Sequence, residues 1–319
     1  MATMLAKKGH DVRLWARDAG LVEEMLATLR NPRYISNIEI PEEVSITSDL
    51  KGAVSGAEVI VMAVPSHAMR AVARSMAPLV SGGCMLVSLA KGLEEKSFKR
   101  MTELLAEEMP GCADSVAALS GPNHAEEVSV GITTATVVAC RNRGLAERLQ
   151  EIFVTSYFRV YTNPDVVGVE LGGAVKNVIA IAVGVADGLG FGDNTRASLM
   201  TRGLAEMARL GVAMGAEERT FSGLSGVGDL IATCTSRHSR NRAVGERLGR
   251  GEDLKSITAD MRMIAEGVRA TGTIYELSVA VGVEMPIVRT AYEVLYEGRD
   301  VLSCVSELMT RDVTLETRN

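Results

Sequence analysis

Over the first 165 residues, short apolar runs take turns with helical ones, and that alternation restricts the fold more than any other feature of the chain. Residues 11–17, 59–65, 84–90, 115–119, 133–140 and 158–161 have the composition of strands, and residues 44–47 are a weaker example. Several of these runs are continuously apolar, as strands covered on both faces must be. Segments of helical periodicity separate them, among them residues 66–79, 95–108 and 145–153. Strands spaced by helices build βαβ units and hence a doubly wound parallel sheet.

After Asn163-Pro164 the character changes. From Val166 onward the sequence shows helical periodicity broken by glycine, with almost no strand pattern. Residues 196–214 and 268–280 read as helices, and 292–296 with 301–309 closes the chain. The expected fold class is α/β. A doubly wound domain of Rossmann-like topology spans residues 1–165, and an all-helical domain spans 166–319. Residues 171–191 are nearly all apolar or glycine, yet Lys176, Asn177 and Asp187 interrupt them. No uncharged run reaches the roughly 18 residues a membrane span needs, so the segment reads as a buried core helix.

The beginning of the chain is unusual. Residues 2–8 look like the last turns of a helix with Gly9 at its C-terminal end, and a strand follows at once. A dinucleotide-binding domain places a strand and a glycine-rich turn ahead of that helix. No GxGxxG occurs anywhere: Gly188-Leu189-Gly190-Phe191-Gly192 and Gly226-Val227-Gly228 have the wrong spacing. The expectation is a chain lacking its first strand and glycine loop, through truncation or a misassigned start.

Composition narrows the partners. A net charge of −6 argues against a nucleic-acid binder, which needs a basic face. The 5 cysteines are scattered and form no CxxC, so neither a disulfide framework nor a zinc site is signalled. A reduced, cytoplasmic setting is the simple reading. Residues Lys7 to Arg13 contain no apolar run of the kind a signal peptide carries. His10, His67, His124 and His238 lack metal-ligand spacing, so no metal is expected.

Four places carry chemistry. Arg17 ends the first strand, where such domains read the adenosine ribose; an arginine suits a 2′-phosphate and an acid the 2′-hydroxyl, and here Asp18 follows Arg17. The plain alternative is a solvated strand end. Lys91 follows the run at 84–90, at the strand edge where ligands bind in parallel sheets, although loop lysines are usually solvated. Lys176 interrupts an apolar helix. Burying an ammonium is costly and lowers its pKa, which makes it a usable acid or base near neutrality, unless the side chain snorkels to the surface. Ser239-Arg240-Asn241-Arg242 offers hydroxyl, guanidinium and amide donors suited to a phosphate, or else an exposed charged stretch.

These pieces occur in one order along the whole chain: Ala63-Val64-Pro65-Ser66-His67, Lys91-Gly92-Leu93-Glu94, Ser120-Gly121-Pro122-Asn123-His124-Ala125-Glu126-Glu127-Val128, Leu171-Gly172-Gly173-Ala174-Val175-Lys176-Asn177, Gly228-Asp229-Leu230, the Ser-Arg-Asn-Arg motif and Ala265-Glu266-Gly267. Together they resemble the bacterial NAD(P)-dependent glycerol-3-phosphate dehydrogenase family. The resemblance implies hydride exchange between NAD(P)H and dihydroxyacetone phosphate, giving sn-glycerol 3-phosphate for glycerophospholipid synthesis. It makes Lys176 the proton acceptor. Lys91, Gly121, Asn123, Asp229, Ser239, Arg240 and Asn241 become substrate ligands. Arg17, Tyr34, Lys91, Ala125, Arg240, Ile264 and Glu266 become cofactor ligands. Asn123 stands where bacterial members usually carry Ser or Thr, and an amide also donates there. The resemblance leaves room for a homodimer. Two other readings stay open at this point: a related two-domain dehydrogenase with another small substrate, and a remnant without turnover.

Overall fold

The computed structural model describes residues 1–261 and 266–309. The N-terminal half carries nine strands: β1 (Arg13–Trp15), β2 (Arg30–Asn31), β3 (Ile35–Glu39), β4 (Ser45–Thr47), β5 (Val59–Met62), β6 (Met85–Ser88), β7 (Val116–Ser120), β8 (Thr134–Ala139) and β9 (Phe158–Asn163). Its helices are α1 (Ala2–Lys7), α2 (Ala19–Thr28), α3 (Leu50–Val54), α4 (Met69–Met76), α5 (Met101–Glu108), α6 (Ala125–Ser129) and α7 (Arg143–Phe153). The main sheet runs β5-β6-β7-β8-β9, and β1 pairs with β4 in a separate parallel pair.

Continuous apolar strands place alternate residues on opposite faces. From β6, Met85 and Val87 join α1 and α7 in one core cluster, while Leu86 joins α4 and α5 in another. The chain leaves α1 through Gly9, whose φ is 93°. Gly9 N–H donates to the Ala6 carbonyl at 2.8 Å and His10 N–H to that of Leu5 at 3.2 Å, closing the helix as its sequence predicts.

Three sequence expectations need correction. The sheet is not wholly parallel, because β8 runs antiparallel to β7. The connection between them holds only five-residue α6, and Gly131, with φ 79°, turns the chain straight back. The helix expected from residue 95 starts at Met101; the bridge Leu93–Arg100 closes residues 93–100 into a loop instead. Residues 30–39 form the antiparallel pair β2–β3, which the sequence pattern did not reveal.

After β9 the described residues are helical: α8 (Val166–Gly188), α9 (Asp193–Ala213), α10 (Asp229–Thr235), α11 (Arg240–Gly249), α12 (Leu254–Asp260), α13 (Glu266–Ala280), α14 (Pro286–Tyr296) and α15 (Val301–Met309). Helix α8 is the axis of this half. It is long and apolar enough to cross a membrane, but the protein buries 89% of its most apolar window, so it is a core helix. Helix α11 lies directly on its backbone: a Cβ on Gly184 would sit 2.1 Å from the Arg242 carbonyl oxygen, and one on Gly245 2.0 Å from that of Ile181. Only glycine allows this approach.

Candidate functional site

Lys176 lies halfway along α8 and is 4% exposed, between neighbours Val175 and Val178 that are wholly buried. It does not snorkel. Its Nζ donates to Asp229 Oδ1 and, at 2.7 Å, to Thr233 Oγ1. Both acceptors come from α10, one turn apart, and Thr233 in turn donates to the Asp229 carbonyl at 2.7 Å. Asp229 is the first residue of α10, where the helix dipole favours a negative charge. A π-helical turn over Leu224–Gly228 leads into it, a distortion frequent at functional sites.

The second cation comes from the sheet. Lys91 follows β6, and its Nζ donates to the Gly121 carbonyl, to Asn123 Oδ1 and to Asp229 Oδ2, each at 2.9 Å. One carboxylate thus bridges two ammoniums across the seam between the halves. Burial pushes the Lys176 ammonium down to about 7; Asp229 opposes the fall and Lys91 adds to it. For Asp229 burial acts in the opposite sense and would raise the carboxyl, but the two ammoniums outweigh it and hold the group below its ordinary value. Gly173 leaves the room Lys91 needs: a Cβ there would lie 3.3 Å from Lys91 Cγ and 2.9 Å from Ser120 Oγ.

An amide relay ties the cluster to the rest of the helical half. Asn177 Nδ2 donates to the Lys91 carbonyl at 3.2 Å, and its Oδ1 accepts from Asn241 Nδ2 at 2.9 Å. Asn241 Oδ1 accepts from Gly267 N–H, also at 2.9 Å. Next to Gly267, Glu266 Oε1 accepts from Ser66 N–H at 3.1 Å, joining the head of α13 to the loop after β5. Ser239 serves as the N-cap of α11, accepting from Arg242 N–H at 3.2 Å. Arg242 is drawn to Asp187, 2.7 Å away.

The fold therefore gathers Lys91, Gly121, Asn123, Lys176 and Asp229 into one cluster, with Asn241 two hydrogen bonds from Lys91. Arg240 sits exposed in the first turn of α11, and Ala125 exposed at the head of α6. Arg17 and Tyr34 are exposed and make no hydrogen bond to the lysines; next to them in the chain Arg33 grips Asp18 at 2.6 Å and Glu24 at 2.7 Å. Asp18 also caps α2 through Leu21 N–H. Its carboxylate is committed to the fold, while Arg17 makes no ion pair among the described residues. Ile264 lies outside the described residues. The pattern reading missed Thr233 and the partner role of Asn177; the four-residue spacing from Asp229 to Thr233 on a helix was the available signal.

One cleft opens on this cluster and another lies beside it. One of 720 Å³ lies against Pro122, His124 and Ala232, the chain neighbours of Asn123 and Thr233. The other, of 280 Å³, opens on Lys91 and Gly92 with Ser66, Glu266 and Arg269 opposite. Burial pushes the His124 imidazole below its ordinary value, helped by Lys176 and Lys91. Among the described residues no group of His, Cys, Asp and Glu is arranged to hold a metal ion.

Residues 1–146 match the family model described as NAD-dependent glycerol-3-phosphate dehydrogenase N-terminus, and residues 165–306 match that of the C-terminus. The glycerol-3-phosphate dehydrogenase [NAD(P)+] of Pelodictyon phaeoclathratiforme is 50% identical over 317 residues, covering 99% of this chain and 95% of that protein. The enzyme of the same name from Moorella thermoacetica is 50% identical over 319 residues, covering 100% and 94%. The crystal structure of glycerol-3-phosphate dehydrogenase from Coxiella burnetii superposes with a TM-score of 0.93 at 39% identity, covering 97% of this chain and 94% of that one. With both halves matched in order and half of all residues shared with these relatives, the chain belongs to the NAD(P)-dependent glycerol-3-phosphate dehydrogenase family.

Proposed function

We propose that the chain interconverts dihydroxyacetone phosphate and sn-glycerol 3-phosphate, with residues 1–165 holding NAD(P)H and residues 166–319 holding the substrate. The observation that carries this reading is the pair of ammoniums from the two halves meeting on Asp229. When bound, the nicotinamide supplies or takes the hydride.

The protein's part is proton transfer and orientation. An ammonium has three donors and no acceptor. Lys176 directs two donors at Asp229 and Thr233; among the described residues no acceptor takes the third, which serves a substrate oxygen. With its pKa pushed down to about 7, both protonation states are populated near neutrality. The charged form gives a proton to the carbonyl oxygen during reduction, and the neutral form takes the hydroxyl proton during oxidation. Asp229 keeps the amine aimed. Lys91 exchanges one of its protein acceptors for the substrate and so places positive charge beside the developing alkoxide. The N-terminus of α11 offers backbone N–H groups to the phosphate, with Arg240 supplying the fork and Ser239 and Asn241 holding that turn in place.

The donors present suit both ends of the cofactor. Arg17, which makes no ion pair among the described residues, fits a ribose 2′-phosphate. At the other end Lys91 and Glu266 line the smaller cleft. Ala125 and Tyr34 complete the surface we assign to the cofactor, and Ile264 follows by resemblance. We place the enzyme in the cytoplasm, where its five free and buried thiols stay reduced.

The test is an absorbance assay of purified chain with NADH or NADPH and either dihydroxyacetone phosphate or ketopantoate. Turnover of the triose phosphate is expected, lowered by about 10²–10⁴ in Lys176→Met. Oxidation of the cofactor with ketopantoate alone would assign the site to a different dehydrogenase, and no oxidation with either would leave a non-catalytic chain.

A further inference from the structure

Lys91 is followed by a loop built unlike any other among the described residues. Within residues 92–100, Lys96 and Phe98 hold φ of 67° and 57°, a left-handed conformation that costs side-chain-bearing residues energy. Such strain persists only where surrounding contacts over-determine it. Here they do, at three points. Glu94 is held in a two-pronged fork by Arg70, with Nε to Oε1 at 2.5 Å and Nη2 to Oε2 at 2.7 Å. Phe98 packs against the core of the helical half, into which Leu93 is already buried. At the far end, Arg100 Nη1 donates to Glu170 Oε2 at 2.8 Å, and Glu170 stands on α8 less than two turns before Lys176.

We propose that the Arg70–Glu94 fork and Phe98 are positioning residues, which hold this loop between α4 and the core around α8 and thereby keep the Lys91 ammonium on Asp229. The inference rests on the role assigned to Lys91 above. The geometry fits that task. The loop leaves β6 and runs into α5 of the same half, while its last side chain, Arg100, reaches Glu170 on α8 of the other, so its shape bears on the spacing between Lys91 and Lys176. A bidentate arginine–carboxylate pair fixes direction as well as distance, which a lysine in place of Arg70 does not do. None of the three side chains is needed to touch substrate.

The variants are Glu94→Gln, Arg70→Lys and Phe98→Leu in the whole chain, each measured in two ways. The first is steady-state kinetics with dihydroxyacetone phosphate and the preferred cofactor. Displacing a catalytic group by about 1 Å can cost up to about 100-fold. A fall of about tenfold or more in kcat is therefore expected, with both KM values within about twofold. The double variant Arg70→Lys/Glu94→Gln should fall no further than the worse single one, because either substitution alone already breaks the fork. The second measurement needs no turnover: brief acetylation with acetic anhydride, read at Lys91 by mass spectrometry, should become several times faster than in the parent. Unchanged kcat and unchanged Lys91 labelling in a folded variant overturn the proposal. So does a rise in cofactor KM with labelling unchanged, which would make Glu94 a cofactor contact. If one variant fails to fold, the other two decide. A parent chain without turnover refutes the reaction assigned above, while the labelling still judges the loop.

Discussion

Lys176 stands on a helix whose flanks are wholly buried, whereas Lys91 hangs from a strained loop at a strand end, yet both ammoniums finish on Asp229. The helix commits two of Lys176's three donors; the loop commits all three of Lys91's, to Gly121, Asn123 and Asp229. The difference separates two tasks that a pair of lysines could otherwise share. Lys176 is desolvated, its pKa pushed down to about 7, and among the described residues it has a donor to spare, which suits a group that exchanges a proton. Lys91 is tied at every donor and keeps a side-chain exposure of 19%, which suits a fixed charge.

The comparison breaks most visibly at the lysines themselves. Replacing Lys176 by Met should lower kcat by about 10²–10⁴, the usual worth of general acid–base catalysis. Replacing Lys91 by Met should cost less in kcat and more in KM. Steady-state kinetics on the two variants checks this, and a larger kcat loss at Lys91 would reverse the assignment of roles. Next comes the shared carboxylate. Asp229→Asn strips two buried or half-buried cations of their counter-charge. Breaking a buried pair from one side typically costs about 3–5 kcal/mol, so urea unfolding should show a loss of that order.

A smaller effect separates the lysines by pH. Burial lowers the Lys176 pKa, and the Lys91 charge lowers it further. The rate of dihydroxyacetone phosphate reduction should therefore fall as pH rises through about 7, because reduction needs the protonated amine. In Lys91→Met that midpoint should move upward, as one lowering charge is gone. A midpoint that stays put would mean the two amines do not sense each other. The stability linkage has a definite sign. The folded pKa lies below the ordinary 10.5, so between about 7 and 10.5 the unfolded chain binds the extra proton. Lys176 therefore destabilises the fold most at low pH, and its penalty fades as pH rises through that window. The difference in Tm between parent and Lys176→Met, followed from pH 7 upward, should drift in the parent's favour.

Much of this was legible in the sequence, for physical reasons that also explain what was not. The strands of the main sheet showed themselves because both faces are covered, which forces runs such as the one at 84–90 to be apolar throughout. Lys176 stood out because an ammonium inside an apolar helix is costly without a partner. The carboxylate that supplies the partner lies 53 residues away, and no periodicity announces a contact of that range. The β2–β3 pair escaped for the opposite reason: exposed on much of its surface, it lacks the apolar alternation that marks a half-buried strand. Residues 95–100 carry helical composition, but tertiary contacts of Glu94, Phe98 and Arg100 override that local preference. The donors at Ser239 and Asn241 were visible as donors. That Ser239 caps α11 and that Asn241 joins Asn177 to Gly267 depended on how the helices cross.

The finest distinction between the lysines lies in Thr233, which touches Lys176 and not Lys91. Its hydroxyl is both an acceptor for the ammonium and a donor to the Asp229 carbonyl one turn earlier, so it holds the amine to α10 independently of the carboxylate. Thr233→Val keeps the shape of the side chain and removes that acceptor. Leaving a buried donor unmatched costs about 1–3 kcal/mol, and a cost of about 1–2 kcal/mol borne in the transition state lowers a rate roughly 5- to 30-fold. The expected result is a fall in kcat within that range, with KM for both substrates unchanged. If instead the loss matches that of Lys176→Met, the aim of the amine depends on the hydroxyl as much as on Asp229, and the carboxylate's part is chiefly to neutralise the two charges.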